Sequence, residues 1–431
     1  MSDPLRIGIA GLGTVGTGVV RILQTHPDLI ASRAGRAIEI VAVSARDKSR
    51  KRTVDLSAYE WEDSPESMAI DPRLDVIVEL IGGAEGTARR LVEQSLKAGK
   101  TVITANKALL AEHGASLAEL SDRSGAGLMY EAAVAGGIPI IKALREGFVG
   151  NRIRAVHGIL NGTCNYILTE MRETGQSFEA VLKRAQEKGY AESDPGLDVD
   201  GIDAAHKLSI LTGLAFGVKP AFSKISIQGI RHITAADIGH ATDLGYRIKL
   251  LGTAMQMEDG TIIQIMEPCL VPQDSLMGAI EGVYNAISSK GDFVGTSFLV
   301  GRGAGEGATA SAVMSDLADC ARGVRIPVYG IPSRHLKEAH WGGIGDMRRH
   351  FYIHLSVIDK PGILADVSAI LRDHQISVEA VLQRSRNPDQ PVSIVLTTHD
   401  ARQSDVSLAC GVIAGLKLVV EKPTIMRIER F

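Results

Sequence analysis

The chain of 431 residues carries 47 basic and 50 acidic side chains, a net charge of −3, and is 45% hydrophobic and 23% charged. That composition excludes a disordered chain, and the near balance of charge leaves no electrostatic footprint for a nucleic-acid or membrane-surface partner. At about 150 residues per domain the length suggests roughly three domains, and 46 glycines beside 4% aromatics favour tight turns over stacking platforms.

In chain order, residues 5–10 read as a short buried strand and 11–16 as a glycine loop. Residues 15–24 follow as a helix, with Val19, Val20 and Leu23 at helical spacing. Apolar runs at 38–43, 76–81 and 101–104 are strand-like, and 85–98 and 108–120 carry helical patterns. Alternating strands and amphipathic helices predict an α/β domain, a doubly wound parallel sheet of the Rossmann type. Residues 138–148, 161–172, 178–188 and 201–216 read as helices. Extended runs at 250–257 and 261–271 are joined by Glu258-Asp259-Gly260, a hairpin signal, and 293–300 adds a strand. Helices followed by strands predict a central α+β domain. Residues 309–322 are helical, and 324–350, with Pro327, Pro332, Gly342, Gly343 and Gly345, read as a linker. The rest reads strand 351–357, helix 362–374, strands 377–383 and 392–397, helix 405–415, and extended runs 416–421 and 424–427. That is βαββαβ, the small ferredoxin-like pattern.

Gly11-Leu12-Gly13-Thr14-Val15-Gly16 is G-x-G-x-x-G between a strand and a helix, the context in which it binds a dinucleotide. The first glycine permits the turn, the second lets the backbone approach a pyrophosphate, and the third lets helix pack on strand. The helix N-terminus offers free N–H groups to the anion. After the second strand an NAD site usually has Asp or Glu. Here Ser44-Ala45-Arg46 is followed by Lys48, Arg50, Lys51 and Arg52. Arg46 suits a 2′-phosphate, which favours NADP(H). NAD(H) use stays open, as does a plain solvated basic loop.

From Lys188 to Lys207 five acids precede a single helical lysine. Asp203 and Lys207 are i,i+4 and share a face. Glu192 and Asp198 lie on the loop before them. Carboxylates beside a lysine suit a substrate bearing an ammonium group, with the lysine as proton donor to a developing alkoxide. By spacing alone, an exposed ion pair behind an acidic turn fits equally.

The run Ala185-x-x-x-Gly189-Tyr190-Ala191-Glu192-x-Asp194-Pro195-x-x-Asp198-Val199-x-Gly201-x-Asp203-x-x-x-Lys207 resembles the signature of the homoserine dehydrogenases. Asn106-Lys107, residues 131–139 and residues 158–166 are similar to further segments of that family. Cys164 stands where the family often has Ser or Thr. The resemblance covers essentially the whole chain. It implies reversible NAD(P)H-dependent reduction of L-aspartate 4-semialdehyde to L-homoserine, on the route to threonine, methionine and isoleucine. It implies Lys207 as acid/base, and Lys107 near both nicotinamide and substrate as a positioning or polarising group. Glu192 and Asp203 would be substrate carboxylates, with Asp198 beside them, and Gly189 and Gly305 would contact the cofactor. Glu131, Val134, Gly136 and Ile138 would form a monovalent cation site (Na+ or K+), built largely from backbone oxygens.

Asp359-Lys360-Pro361-Gly362-Ile363-Leu364 gives the C-terminal module a resemblance to ACT domains. This implies a small amino-acid effector, with L-threonine expected as feedback inhibitor. A dimerising or purely structural module is the alternative. The expected division is a Rossmann domain 1–133 rejoined by 301–323, a catalytic and dimerisation domain 134–300, a linker 324–349 and an ACT domain 350–431. A homodimer or homotetramer is expected. Another amino-acid aldehyde or hydroxy-acid dehydrogenase, or a non-catalytic sensor, would be the competing readings. Cys164, Cys269, Cys320 and Cys410 form no C-x-x-C pair, which fits a reducing, cytoplasmic setting. The start at Met1-Ser2-Asp3-Pro4 shows no leader pattern. His350 and His354, in an extended run, would lie roughly 13 Å apart, too far to share a metal.

Overall fold

The computed structural model describes residues 3–383 and 391–431; Met1 and Ser2 of the start lie outside the described residues. Six parallel strands form the first sheet: β1 (Leu5–Ala10), β2 (Ile38–Ser44), β3 (Glu60–Trp61), β4 (Val76–Glu79), β5 (Thr101–Thr104) and β6 (Leu128–Met129). Their order is β3-β2-β1-β4-β5-β6. Helices α1 (Thr14–Thr25), α2 (Pro27–Ala34), α3 (Thr87–Lys97) and α4 (Lys107–Ser124) connect them. Ile7, Ile9, Ile77 and Val78 are fully buried, as strands covered on both faces must be. The order reverses between β1 and β4, so the binding crevice opens outside their C-terminal ends.

The central part contains α5 (Ile140–Lys142), β7 (Ile153–Ile159), α6 (Gly162–Thr174), α7 (Phe178–Glu187), α8 (Gly196–Val199) and α9 (Ile202–Phe216). It continues with β8 (Ser226–Ile227), α10 (Ala235–Asp243), β9 (Tyr246–Gln256), β10 (Ile262–Pro272), β11 (Tyr284–Gly291) and β12 (Gly295–Arg302). The expected helix 138–148 is one α turn that continues as a π turn over Ala143–Gly147. Strands β7 and β11 were not foreseen, because His157, Ser288, Ser289 and Lys290 break their apolar runs. Helix α11 (Glu306–Ala321) returns to the first domain, where Ala310, Val313 and Leu317 pack with Val19 and Val20 of α1. Gly18 permits the close crossing, since a Cβ there would lie 3.0 Å from that of Ala310.

The C-terminal module has β13 (Arg348–Ile358), α12 (Ile363–Asp373), β14 (Val378–Leu382), β15 (Pro391–Thr398), β16 (Ala401–Arg402), α13 (Gln403–Ile413) and β17 (Thr424–Ile428). The expected extended run 416–421 is instead turns, with one bridge from Val419 to Val357. The module's sheet is not separate. β17 pairs in parallel with β10 through Cys269–Arg427 and Leu270–Ile428. One eleven-stranded sheet therefore runs β12-β11-β7-β9-β10-β17-β13-β15-β14, with β8 and β16 at its side. Residues 324–349 are not a free tether. Tyr329 is buried, the Tyr130 hydroxyl donates to the Val328 carbonyl at 2.6 Å, and Lys337 and Trp341 bridge to Val218 and Ile262.

Candidate functional site

The glycine loop divides its three roles by contact. A Cβ on Gly11, whose φ is +106°, would lie 2.5 Å from the Leu80 carbonyl oxygen, and one on Gly16 would lie 1.9 Å from that of Gly11. A Cβ on Gly13 would meet nothing within 4 Å. The first and third glycines are demanded by the protein's own backbone, while the second faces open space. Helix α1 begins there with no side-chain cap and no acid in its first turn, at Thr14 and Val15. Its free N–H groups and dipole suit a pyrophosphate. Arg46 is exposed just past β2. Arg52 donates from Nε to the Leu12 carbonyl at 3.2 Å, which ties the basic loop to the glycine loop. Lys48 and Arg52 each stand 5.5 Å from the Trp61 ring. These residues fit a dinucleotide.

Asp203 in the first turn of α9 binds both lysines. Its Oδ2 is 2.7 Å from Lys207 Nζ and its Oδ1 2.9 Å from Lys107 Nζ. Lys207 Nζ also donates to the Leu160 carbonyl at 2.8 Å. Lys107 opens α4, an unfavourable end for a cation, so its place serves the Asp203 contact rather than the helix. Asn161 caps α6 through the Cys164 amide, and its Nδ2 donates to Asp198 at 2.7 Å and to Asp203 at 3.2 Å. Burial opposes the charge of Asp203, yet Lys207 and Lys107 hold its pKa well below the usual carboxylate range. Burial also opposes Lys107, but Asp203, Asp198 and Glu192 raise its pKa above normal. Burial pushes Asp198 up, against the Asn161 hydrogen bond. Glu192 is exposed at the rim.

Asn161 escaped the sequence reading. The signal was there, as Asn three residues before Cys164 with a helix following is an N-cap pattern, but its second role exists only in the fold. His206, half-buried, packs on Phe222 at 4.3 Å between ring centres rather than joining the cluster. Gly189 and Gly305, with φ of +73° and +111°, have open space where a Cβ would stand.

Glu131, Val134, Gly136 and Ile138 lie on one buried loop. The Glu131 carboxylate accepts from the Ile141 and Lys142 amides at 3.0 and 2.9 Å. Burial, with Asp316, pushes its pKa up to about 7. The Ile138 carbonyl accepts from the Ile140 amide at 2.7 Å. Among the described residues, no hydrogen bond is found to the carbonyls of Val134 and Gly136. Buried carbonyls without donors are what an oxygen-ligated cation would use.

Residues 11–131 match the family model "Homoserine dehydrogenase, NAD binding domain", 139–318 match "Homoserine dehydrogenase", and 352–409 match "ACT domain". The chain is 41% identical to the homoserine dehydrogenase of Pseudomonas aeruginosa, over 99% of both chains. It is 39% identical to that of Neisseria gonorrhoeae, again over 99% of each. The crystal structure of a homoserine dehydrogenase from Thiobacillus denitrificans superposes with a TM-score of 0.93 at 41% identity, covering 99% of this chain and 98% of that one. A hyperthermophilic archaeal homoserine dehydrogenase mutant in complex with NADPH gives 0.64 at 26% identity, covering 75% of this chain and 99% of that one. With its nucleotide-binding, catalytic and ACT segments matched in the same chain, this protein belongs to the homoserine dehydrogenase family, NAD(P)-dependent oxidoreductases.

Proposed function

We propose that this chain reduces L-aspartate 4-semialdehyde to L-homoserine, and catalyses the reverse, with NADP(H) preferred and NAD(H) accepted. The observation that carries this reading is the shared carboxylate of Asp203 between Lys107 and Lys207, in a chain that also carries the open Gly13 loop. The bound nicotinamide supplies the hydride. Lys207 donates a proton to the oxygen as negative charge develops there. Lys107 positions and polarises the same carbonyl. Glu192 and Asp203 hold the α-ammonium and other polar groups, with Asp198 completing the acidic wall. Arg46 pairs with the 2′-phosphate, and Gly11, Gly13, Thr14, Val15 and Gly16 cradle the pyrophosphate. The Gly189 and Gly305 turns border the nicotinamide side. A Na+ or K+ ion would be held by Glu131, Val134, Gly136 and Ile138, where it would stiffen the loop beside α11. The test is loss of NADPH absorbance when aspartate semialdehyde is added; no loss overturns the reading.

The division into residues 1–133 with 301–323, 134–300, 324–349 and 350–431 is supported by the packing of α11 on α1 and by separate core clusters in the first and last units. L-threonine is the expected inhibitor through the ACT module, acting on the step toward threonine, methionine and isoleucine. A titration of activity with L-threonine tests it. We read the β12 edge, with Val300 48% exposed, and the turn before it, with Phe293 86% exposed, as the surface that pairs two copies, since an open apolar edge favours strand addition. Sedimentation tests whether a dimer or tetramer forms. The four free cysteines favour a reducing cytoplasmic setting.

A further inference from the structure

Glu79 is the last residue of β4 and is fully buried. It stands in register with Ala10 at the end of β1 and with Thr104 at the end of β5. The strand order reverses between β1 and β4, so a dinucleotide crosses the strand ends here. Glu79 Oε1 accepts from the Ile81 and Gly82 amides at 2.7 and 2.9 Å, and Oε2 from the Thr104 hydroxyl at 2.5 Å. All three donors are neutral. A buried carboxylate held by neutral donors is a costly way to fill a core. Its value is geometric, because an acceptor-only group with two oxygens can hold all three donors at once.

These bonds close into a ring. The Thr104 hydroxyl accepts from the Asn106 amide at 3.0 Å, and Asn106 Nδ2 donates to the Gly83 carbonyl at 2.7 Å. Asn106 Oδ1 accepts from the Leu109 amide at 3.1 Å, which caps α4. One carboxylate thereby binds two segments together. The first is the loop 80–83. The Leu80 amide donates to the Ala10 carbonyl at 2.7 Å, which sets this loop beside the glycine loop. Gly82 and Gly83 are exposed, with φ of +86° and +89°. A Cβ on Gly82 would meet nothing within 4 Å, as at Gly13, so no protein group fills that face. The second segment is the start of α4, whose first residue is Lys107, directly after Asn106.

We propose that Glu79 is a positioning residue for hydride transfer. It fixes the 80–83 loop, against which the nicotinamide end of the cofactor lies, relative to Lys107 at the substrate carbonyl. The proposal rests on the dehydrogenase reading and adds to it a residue too deeply buried to touch substrate or cofactor.

Glu79→Gln tests it at nearly constant volume. The new amide oxygen can still accept from Ile81 and Gly82, but its NH2 faces the Thr104 hydroxyl, which loses its acceptor, so one joint of the ring opens. The full chain is followed by NADPH fluorescence titration and by single-turnover oxidation of bound NADPH with aspartate semialdehyde. The variant should bind NADPH at the wild-type stoichiometry and transfer hydride about 10²-fold more slowly, the loss that a misplacement of about 1 Å can cause. Saturating NADPH and substrate should not recover the rate. Thr104→Val, which replaces the bridging hydroxyl by a methyl, should slow the same step, and Thr104→Ser should restore it. That pair carries the test if Glu79→Gln does not fold. Wild-type single-turnover rates in Glu79→Gln and Thr104→Val overturn the proposal. A lost rate that only tracks a lost fraction of NADPH-binding chains also overturns it, as does a loss that Thr104→Ser shares with Thr104→Val, because a structural role accounts for both. A wild type that oxidises no NADPH overturns the dehydrogenase reading on which the proposal rests.

Discussion

Asp203 reaches Lys207 one turn along the same helix at 2.7 Å, while its other oxygen holds Lys107 from a different domain at 2.9 Å. The contact therefore ties the nucleotide-binding part to the catalytic part. It also sets two ammoniums against one carboxylate, and with Asp198 and Glu192 it raises the Lys107 pKa despite burial.

Lys207→Ala should lower kcat by about 10²–10⁴-fold, the usual worth of a positioned proton donor. NADPH affinity, read by fluorescence titration, should change little, because among the described residues Lys207 hydrogen-bonds to Asp203 and the Leu160 carbonyl. Near-normal turnover would remove Lys207 from its role.

Asp203→Asn should raise KM and lower kcat together, since Lys107 and Lys207 lose their shared counter-charge. The pH response follows from the sign of the shift. The Asp203 pKa is depressed in the folded protein, so its stabilisation is present above the unfolded value of about 3.9 and is lost as pH falls through the folded one. Melting temperatures measured from pH 7 downward should fall less steeply in the variant.

Gly13→Ala and Gly16→Ala should part company. The Gly13 methyl enters open space, so the variant should keep its melting temperature and lose NADPH affinity. The Gly16 methyl would collide with the Gly11 oxygen at 1.9 Å, which should destabilise the fold by about 1–3 kcal/mol. Equal losses of stability would contradict the assignment of open space at Gly13.

Arg46→Ala should reduce kcat/KM for NADPH about tenfold and leave the value with NADH nearly unchanged, if its charge reads the 2′-phosphate. A parallel drop with both cofactors would show that the loop, not the charge, was being disturbed.

His157 supplies a second pH signature. Burial pushes its pKa down to about 4, and Phe431 stacks on it edge-on at 5.2 Å. The unfolded chain then takes the proton first. Stability should decline as pH falls from about 6.5 to about 4, and should do so less in His157→Gln. Thermal scans at pH 6.5 and 4.5 compare the two slopes.

Much of the site was legible in the chain. Gly11, Gly13 and Gly16 stand in local order, and Asp203 and Lys207 are one helical turn apart, so spacing grouped each set, although an exposed ion pair fitted the second equally well. The βαββαβ order of the last module was legible for the same reason, as each element is a continuous run. Strands β7 and β11 were not, because polar residues such as His157, Ser288 and Lys290 sit on them, and their burial is decided by neighbours far away in sequence.

The sequence by itself determined the nucleotide loop, the acid–lysine helix and the type of each module, since these depend on local pattern and on which groups share a face. Only the tertiary structure decided that Lys107 meets Asp203, that Asn161 links Asp198 to it, and that β17 joins β10 to make two modules one sheet. Those pairings join residues about a hundred or more positions apart, or set a side chain's second partner. Burial, backbone hydrogen bonding and charge neutralisation select them after the chain has collapsed, and no period in the sequence records them.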